Sequence, residues 1–188
     1  MRLLGYPAEK ISILTTYNGQ CSLIQDVVAQ RCSNSDLFGE PGRIATVDKY
    51  QGQQNDYVLL SLVRTQSVGH LRDVRRLVVA LSRARLGLYV FCRQSLFENC
   101  YELTPSFSQL LQRPPRLRLV LDEAFPGVGR PATGADGPPP GSALYEMRNV
   151  TDTGVLVHQM ASAVMGHRAA LAHVTAMAAE AGARAAAE

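Results

Sequence analysis

Four short apolar runs set the strongest constraint on this chain: KISILTT at Lys10–Thr16, a second at Ile44–Val47, a third at Tyr57–Val63 and a fourth at Leu86–Cys92. Each reads as a β-strand from its β-branched content and alternation. Between them lie stretches with helical spacing. Asn18 to Arg31 carries Leu23, Val27 and Val28 on one face. RRLVVALSRAR, opened by Asp73 as an N-cap, would bury Leu77, Ala80, Leu81 and Ala84 while Arg76 and Arg83 share a stripe about 100° per residue around the helix. Strands interleaved with amphipathic helices predict an α/β layered fold with a mainly parallel sheet. A short helix near Ser106 to Gln112 and a last strand at Arg116 to Leu121 follow.

After that the composition changes. Gly127 to Gly141 holds four prolines and five glycines, the signature of a flexible linker. Beyond it, Gly154 to Glu188 places Leu156, Met160, Val164, Leu171 and Val174 at the spacing of an amphipathic helix, and its alanines favour that helix. The expected organisation is therefore a domain over 1–125, a Pro/Gly-rich linker over 126–142 and an Ala-rich helical tail over 143–188. His158, His167 and His173 of the tail read as surface residues rather than metal ligands. The cysteines, Cys21, Cys32, Cys92 and Cys100, form no C-x-x-C pair, so no metal site and no disulfide framework is indicated. The longest unbroken apolar runs are far too short for a bilayer, so no membrane partner is expected. The opening MRLLGYPAEK has no apolar core with a cleavage site, which predicts an intracellular chain.

Charge is unevenly placed. The chain carries +3 in all, yet Arg64 to Arg118 holds ten arginines against Asp73, Glu98 and Glu102, a local balance of +7. Such a segment suits a polyanion, either phosphate or nucleic acid.

Two blocks place polar groups where strands run out. In TVDKYQGQQNDYVLLSLVRT, Asp48 follows a strand and Gln51 stands three residues on, the spacing of a capping box. Gly52 then allows a close backbone approach. ILTTYNGQ repeats the logic with the hydroxyls of Thr15 and Thr16. Carboxyl ends of parallel strands are where ligands bind in open α/β sheets. Each block taken alone is equally compatible with an ordinary turn that holds no ligand.

Together, ILTTYNGQ, TVDKYQGQQNDYVLLSLVRT and DVRRLVVALSRAR resemble, in order, the T-P-Y-x-x-Q, V-D-x-F-Q-G-x-E-x-D and R-R-L-x-V-A-L-T-R-A-R motifs in the second RecA-like domain of superfamily 1 helicases. LLGYPAEKISILTTYNGQ, VGHLRDVRRLVVALSRARLGLYVF and SLFENCYELTPSFSQL are similar in particular to intron-binding RNA helicases of the spliceosome. The resemblance covers about residues 2 to 125. It implies a RecA-like three-layer α/β domain with Arg83 as the catalytic arginine that reaches the γ-phosphate of ATP. Arginine fits that task because its planar fork matches phosphate oxygens and keeps its charge. It further implies that Gln54, where the family usually has a ribose-binding glutamate, contacts nucleotide together with Gly52 and Arg83. Thr15, Thr16, Gln51 and Arg76 would meet RNA or line the cleft between domains, and Arg85, facing away, would form a structural ion pair.

Departures from the pattern bear on activity. Thr16 replaces the usual proline and Cys21 a common cation. No G-x-x-x-x-G-K-[ST] loop, acidic metal-binding block or Q-Y-R element occurs in the 188 residues. The expectation is an N-terminally truncated domain that is inactive alone, from a nuclear helicase using ATP and Mg with a first RecA-like domain, single-stranded or intronic RNA and spliceosomal proteins as partners. This chain alone would bind neither cofactor strongly. A non-catalytic spliceosomal docking module, or a helicase on DNA or RNA:DNA hybrids, are the other readings.

Overall fold

The computed structural model describes residues 1–32, 37–64, 66–113, 116–120 and 144–185. The linker expected over 126–142 lies outside them. The chain's described residues fall into two compact units, 1–116 in the first and 117–120 with 144–185 in the second.

In the first unit four strands, β1 (Ile11–Thr15), β2 (Arg43–Thr46), β3 (Asn55–Ser61) and β4 (Ala84–Phe91), form one parallel sheet in the order β2-β1-β3-β4. This is the α/β RecA-like arrangement the motifs imply. The central strands β1 and β3 run in register from Ile11↔Tyr57 to Thr15↔Ser61. Alternation puts Leu14, Val58 and Leu60 on one face, where they form the core with Tyr50, Leu77, Ala80, Phe97 and Phe107. Phe97 and Phe107 stack with ring centroids 5.5 Å apart.

Helix α1 (Asn18–Arg31) joins β1 to β2. Right-handed crossovers that move in opposite directions across a sheet cover opposite faces, so α1 covers the face away from that core. Its apolar stripe is a correction to the sequence reading, because Leu23 and Val27 are 55% and 43% exposed and Cys21 is the buried residue. Helix α2 (Val74–Leu81) joins β3 to β4 and is capped as expected, the Asp73 carboxylate accepting from the backbone N–H of Arg75 at 3.0 Å. It buries Leu77 and Ala80 but stops at Leu81. Arg83 therefore sits in the turn after the helix and Arg85 on β4, so the two differ by a change of element rather than by rotation about one helix. Two helices that follow β4, α3 (Gln94–Glu98) and α4 (Thr104–Leu111), carry Phe97 and Phe107.

The second unit pairs β5 (Leu117–Val120) antiparallel with β6 (Leu144–Met147) and continues into α5 (Val150–Ala185). The last strand foreseen from the sequence thus stays out of the parallel sheet. Asn149 starts the helix, its side-chain oxygen accepting from the N–H of Asp152 at 2.9 Å. Among the described residues no helix is long and apolar enough to cross a membrane.

Candidate nucleotide and RNA site

Because all four strands are parallel, their carboxyl ends, Thr15, Thr46, Ser61 and Phe91, share one rim, and Arg43, Asn55 and Ala84 share the other. The segment from Val47 to Gln54 leaves the carboxyl rim after β2, crosses over β1 and enters β3 at the amino rim. Tyr50 pins that crossover. It is buried, and its hydroxyl shares a 3.0 Å hydrogen bond with buried Ser12 on β1. Asn55 donates to the same Ser12 Oγ and to the carbonyl of Glu9, both at 2.9 Å.

At the carboxyl rim β1 ends in three hydroxyls, Thr15 Oγ1, Thr16 Oγ1 and Tyr17 Oη, that are buried without a hydrogen-bond partner. Burying a hydroxyl unpaired costs roughly 1–3 kcal/mol, so this is an unusual concentration of unmet capacity. The Arg64 guanidinium lies 4.5 Å from the centre of the Tyr17 ring, with the His70 ring 6.0 Å from it. Gly69 has φ 62, and a Cβ there would stand 2.3 Å from the Tyr17 hydroxyl, so glycine is required by both the backbone and the space. Thr16, Val47, Asp48, His70, Leu71 and Arg76 line a small cleft of about 10 Å³ beside these hydroxyls.

Asp48 does not close a capping box with Gln51. Residues Asp48–Tyr50 form a single tight turn with no side-chain cap, and the Asp48 carboxylate pairs with Arg76 at 3.7 Å. The first turn is instead tied by Thr46 Oγ1, which accepts from the N–H of Lys49 at 3.4 Å. The chain then turns at Gly52, with φ 77 and open space where a Cβ would be.

At the amino rim the crossover meets the end of α2. Gln54 donates to the carbonyl of Ser82 at 3.4 Å. Arg83 donates to the carbonyls of Val79 and Gln53, at 2.8 and 3.1 Å, and to Ser82 Oγ at 2.9 Å. All three acceptors are neutral. No carboxylate among the described residues pairs with Arg83, so its charge is left uncompensated. Arg85 differs, bonding Asp56 at 2.7 Å, with Lys10 3.6 Å from the same carboxylate. The Arg85 pair foreseen from the sequence exists, but at the surface, with the Arg85 side chain 56% exposed.

The structure thus gathers the candidates into two clusters joined by one segment. Thr15, Thr16 and Arg76 lie at the carboxyl rim, Gln54 and Arg83 at the amino rim, and Gln51 and Gly52 on the exposed crossover between them. Sequence reasoning passed over Tyr17, Arg64 and His70, although Tyr17 and Arg64 stand inside the quoted motifs. Among the described residues no group of His, Cys, Asp and Glu is disposed to hold a metal ion.

Residues 2–112 match the AAA domain family. Over 126 residues, 67% of this chain, the sequence is 68% identical to RNA helicase aquarius of Mus musculus, of which it covers 8%. It is 31% identical over 67% of its length to pre-mRNA-splicing factor cwf11 of Schizosaccharomyces pombe, covering 10% of that protein. It is 43% identical over 66% of its length to a third protein, the helicase required for RNAi-mediated heterochromatin assembly 1 of Schizosaccharomyces pombe, covering 12% of it. The chain spans about a tenth of the length of these relatives. With more than half of its residues inside the family match, the chain belongs to the AAA domain family and carries a superfamily 1 helicase-type domain.

Proposed function

We propose that this chain supplies the second RecA-like domain of an ATP-driven RNA helicase that works on intronic RNA during pre-mRNA splicing in the nucleus. The observation that carries the ATP half of this reading is the state of Arg83. It is held in place by three neutral acceptors with its charge unspent. A guanidinium so oriented and uncompensated is suited to the charge that develops on a transferring γ-phosphoryl group. Gln54, fixed beside it through Ser82, would meet the ribose by a neutral hydrogen bond, and Gly52 leaves the backbone open to the nucleotide. ATP supplies the phosphoryl group; this chain's part is to orient a positive charge against it.

The RNA half rests on the carboxyl rim, where Thr15 and Thr16 hold hydroxyls with no hydrogen-bond partner; both hydroxyls are buried, so RNA would reach them only if the rim opened. Gln51 on the crossover and Arg76 at the rim would add contacts to the phosphate backbone. The splicing assignment follows the relatives' names, RNA helicase aquarius and pre-mRNA-splicing factor cwf11, and implies spliceosomal proteins and a first RecA-like domain as partners. Because no phosphate-binding G-x-x-x-x-G-K-[ST] loop stands in these residues, the chain alone turns over no ATP. A purified sample tests this. Hydrolysis above background that Arg83→Ala abolishes would refute the need for a partner domain, and background-level turnover with salt-sensitive RNA binding supports the reading.

A further inference from the structure

At the β3–β4 end of the carboxyl rim lies a second opening, apart from the hydroxyl cluster of β1. It is a cleft of about 520 Å³ lined by Gln20, Ser61, Val63, Phe91, Cys92 and Arg93, within the range of about 300–1,000 Å³ that small ligands occupy. The backbone makes room for it at a cost. Leu62 still pairs with β4, its N–H donating to the carbonyl of Phe91 at 3.0 Å. Val63 then takes φ 57, and the N–H of Arg64 closes a three-residue turn onto the carbonyl of Leu62 at 2.5 Å. Turns of this hand are rare, and a β-branched residue at positive φ is a true outlier. Strain of this kind persists where the surroundings demand it, often at ligand sites.

The lining is chemically mixed in a particular way. Ser61 and Phe91 are register partners at the ends of their strands, and Phe91 keeps 49% of its surface exposed. Val63 adds an aliphatic wall, Ser61 and Gln20 add neutral hydrogen-bonding groups, and Arg93 adds a cation. Gln20 belongs to the first turn of α1, whose N-terminus no side chain caps, so its backbone N–H groups also favour an anion. An aromatic face beside a guanidinium and uncapped amides matches one nucleotide, the base on the ring and the phosphate on the cation. None of the six described residues that line the cleft is acidic, which favours a polyanion strand over a basic peptide.

We infer that this cleft is a nucleotide subsite for single-stranded RNA, with a base stacked on Phe91 and its phosphate met by Arg93. The inference rests on the RNA reading of the carboxyl rim and extends the strand's path from β1 across to β4.

The test is fluorescence anisotropy of the full 188-residue chain with labelled oligo(U) of about 12 nucleotides, a length chosen from known single-strand site sizes, across a salt series. Phe91→Ala should weaken binding roughly tenfold, in the range for loss of one base stack, and leave the salt slope unchanged. Phe91→Trp should restore it. Arg93→Ala should flatten the slope of log affinity against log salt by about 0.7, the share of one phosphate on a single strand, and Arg93→Lys should retain it. As a second readout, bound oligo(U) should slow N-ethylmaleimide modification of Cys92, followed by mass spectrometry. If the wild-type chain binds RNA and both alanine variants bind as well as it does, this subsite is wrong while the RNA reading of the rim stands. No binding by the wild-type chain at low salt would overturn the rim reading and this subsite with it. Saturable AMP binding that Phe91→Ala removes, with oligo(U) affinity intact in that variant, would assign the cleft to a free mononucleotide and overturn the strand assignment.

Discussion

Replacing Arg83 with alanine removes three hydrogen-bond donors at once, and the structure sets how much that should matter. The acceptors are the carbonyls of Val79 and Gln53 and the hydroxyl of Ser82, at 2.8 to 3.1 Å. A typical intramolecular hydrogen bond contributes about 1 kcal/mol net, and more from a charged donor in a buried site. Here the side chain is only partly buried and water can replace it at two of the three acceptors, so the sum should be close to about 1 kcal/mol. That exceeds the change of roughly 0.5 kcal/mol typical of an ordinary surface position. Arg85→Ala should cost no more. The Arg85 side chain is 56% exposed, and Asp56 keeps Lys10 at 3.6 Å after the loss. Such pairs contribute about 0.2–1 kcal/mol, far below the roughly 3–5 kcal/mol that follows when a fully buried pair is broken. Thermal melts of both variants should therefore fall within about 4 °C of the wild-type chain. Loss of about 3 kcal/mol or more on Arg83→Ala would refute the reasoning, because it would make Arg83 a structural staple first.

Three further outcomes follow from the same geometry. Ser12→Ala should destabilise by about 1–3 kcal/mol, because it strands the buried Tyr50 hydroxyl; adding Tyr50→Phe should recover part of the loss in a double-mutant cycle, and strict additivity would deny the contact. Gly69→Ala should cost at least about 1–2 kcal/mol through its left-handed backbone and its collision with the Tyr17 hydroxyl; a background of Tyr17→Phe should soften the loss, measured by denaturant melts. Desolvation, then the nearby Glu98 carboxylate, raise the pKa of the Cys92 thiol. A raised pKa leaves less thiolate at pH 8, so alkylation of this exposed cysteine should lag a free thiol there and catch up only at higher pH, whereas full reactivity at pH 7 would contradict the shift.

Much of the first unit was legible in the sequence because its signals are local. Helix α1 occupies the span read from Asn18 to Arg31, and the Asp73 cap is where its residue type put it. What escaped depended on partners far along the chain. Asp48 has the spacing of a capping box, but Arg76 from α2 stands close enough to take its carboxylate. The apolar stripe of α1 announced a buried face, yet among the described residues Leu23 and Val27 are left exposed. The rotation assigned to Arg83 and Arg85 assumed one continuous helix. The helix gives way after Leu81 so that β4 can pair with β3 from Ala84 onward. At the candidate site, the motif residues are proposed from resemblance, whereas the strained turn at Val63 and the cleft beside Phe91 carry no sequence signature, since neither residue type advertises its backbone angle or its neighbours.

The central claim, that Arg83 completes an ATP site made with a partner domain, is tested most directly by transplantation. The matched 126 residues share 68% identity with RNA helicase aquarius of Mus musculus, so this chain's segment can replace its counterpart in that protein. RNA-stimulated ATP hydrolysis by the chimera should survive the exchange and fall about 10³-fold or more when Arg83 becomes alanine, as for arginine fingers in phosphoryl transfer generally, while Arg85→Ala should leave it nearly unchanged. A folded chimera whose turnover is indifferent to Arg83→Ala would contradict the account.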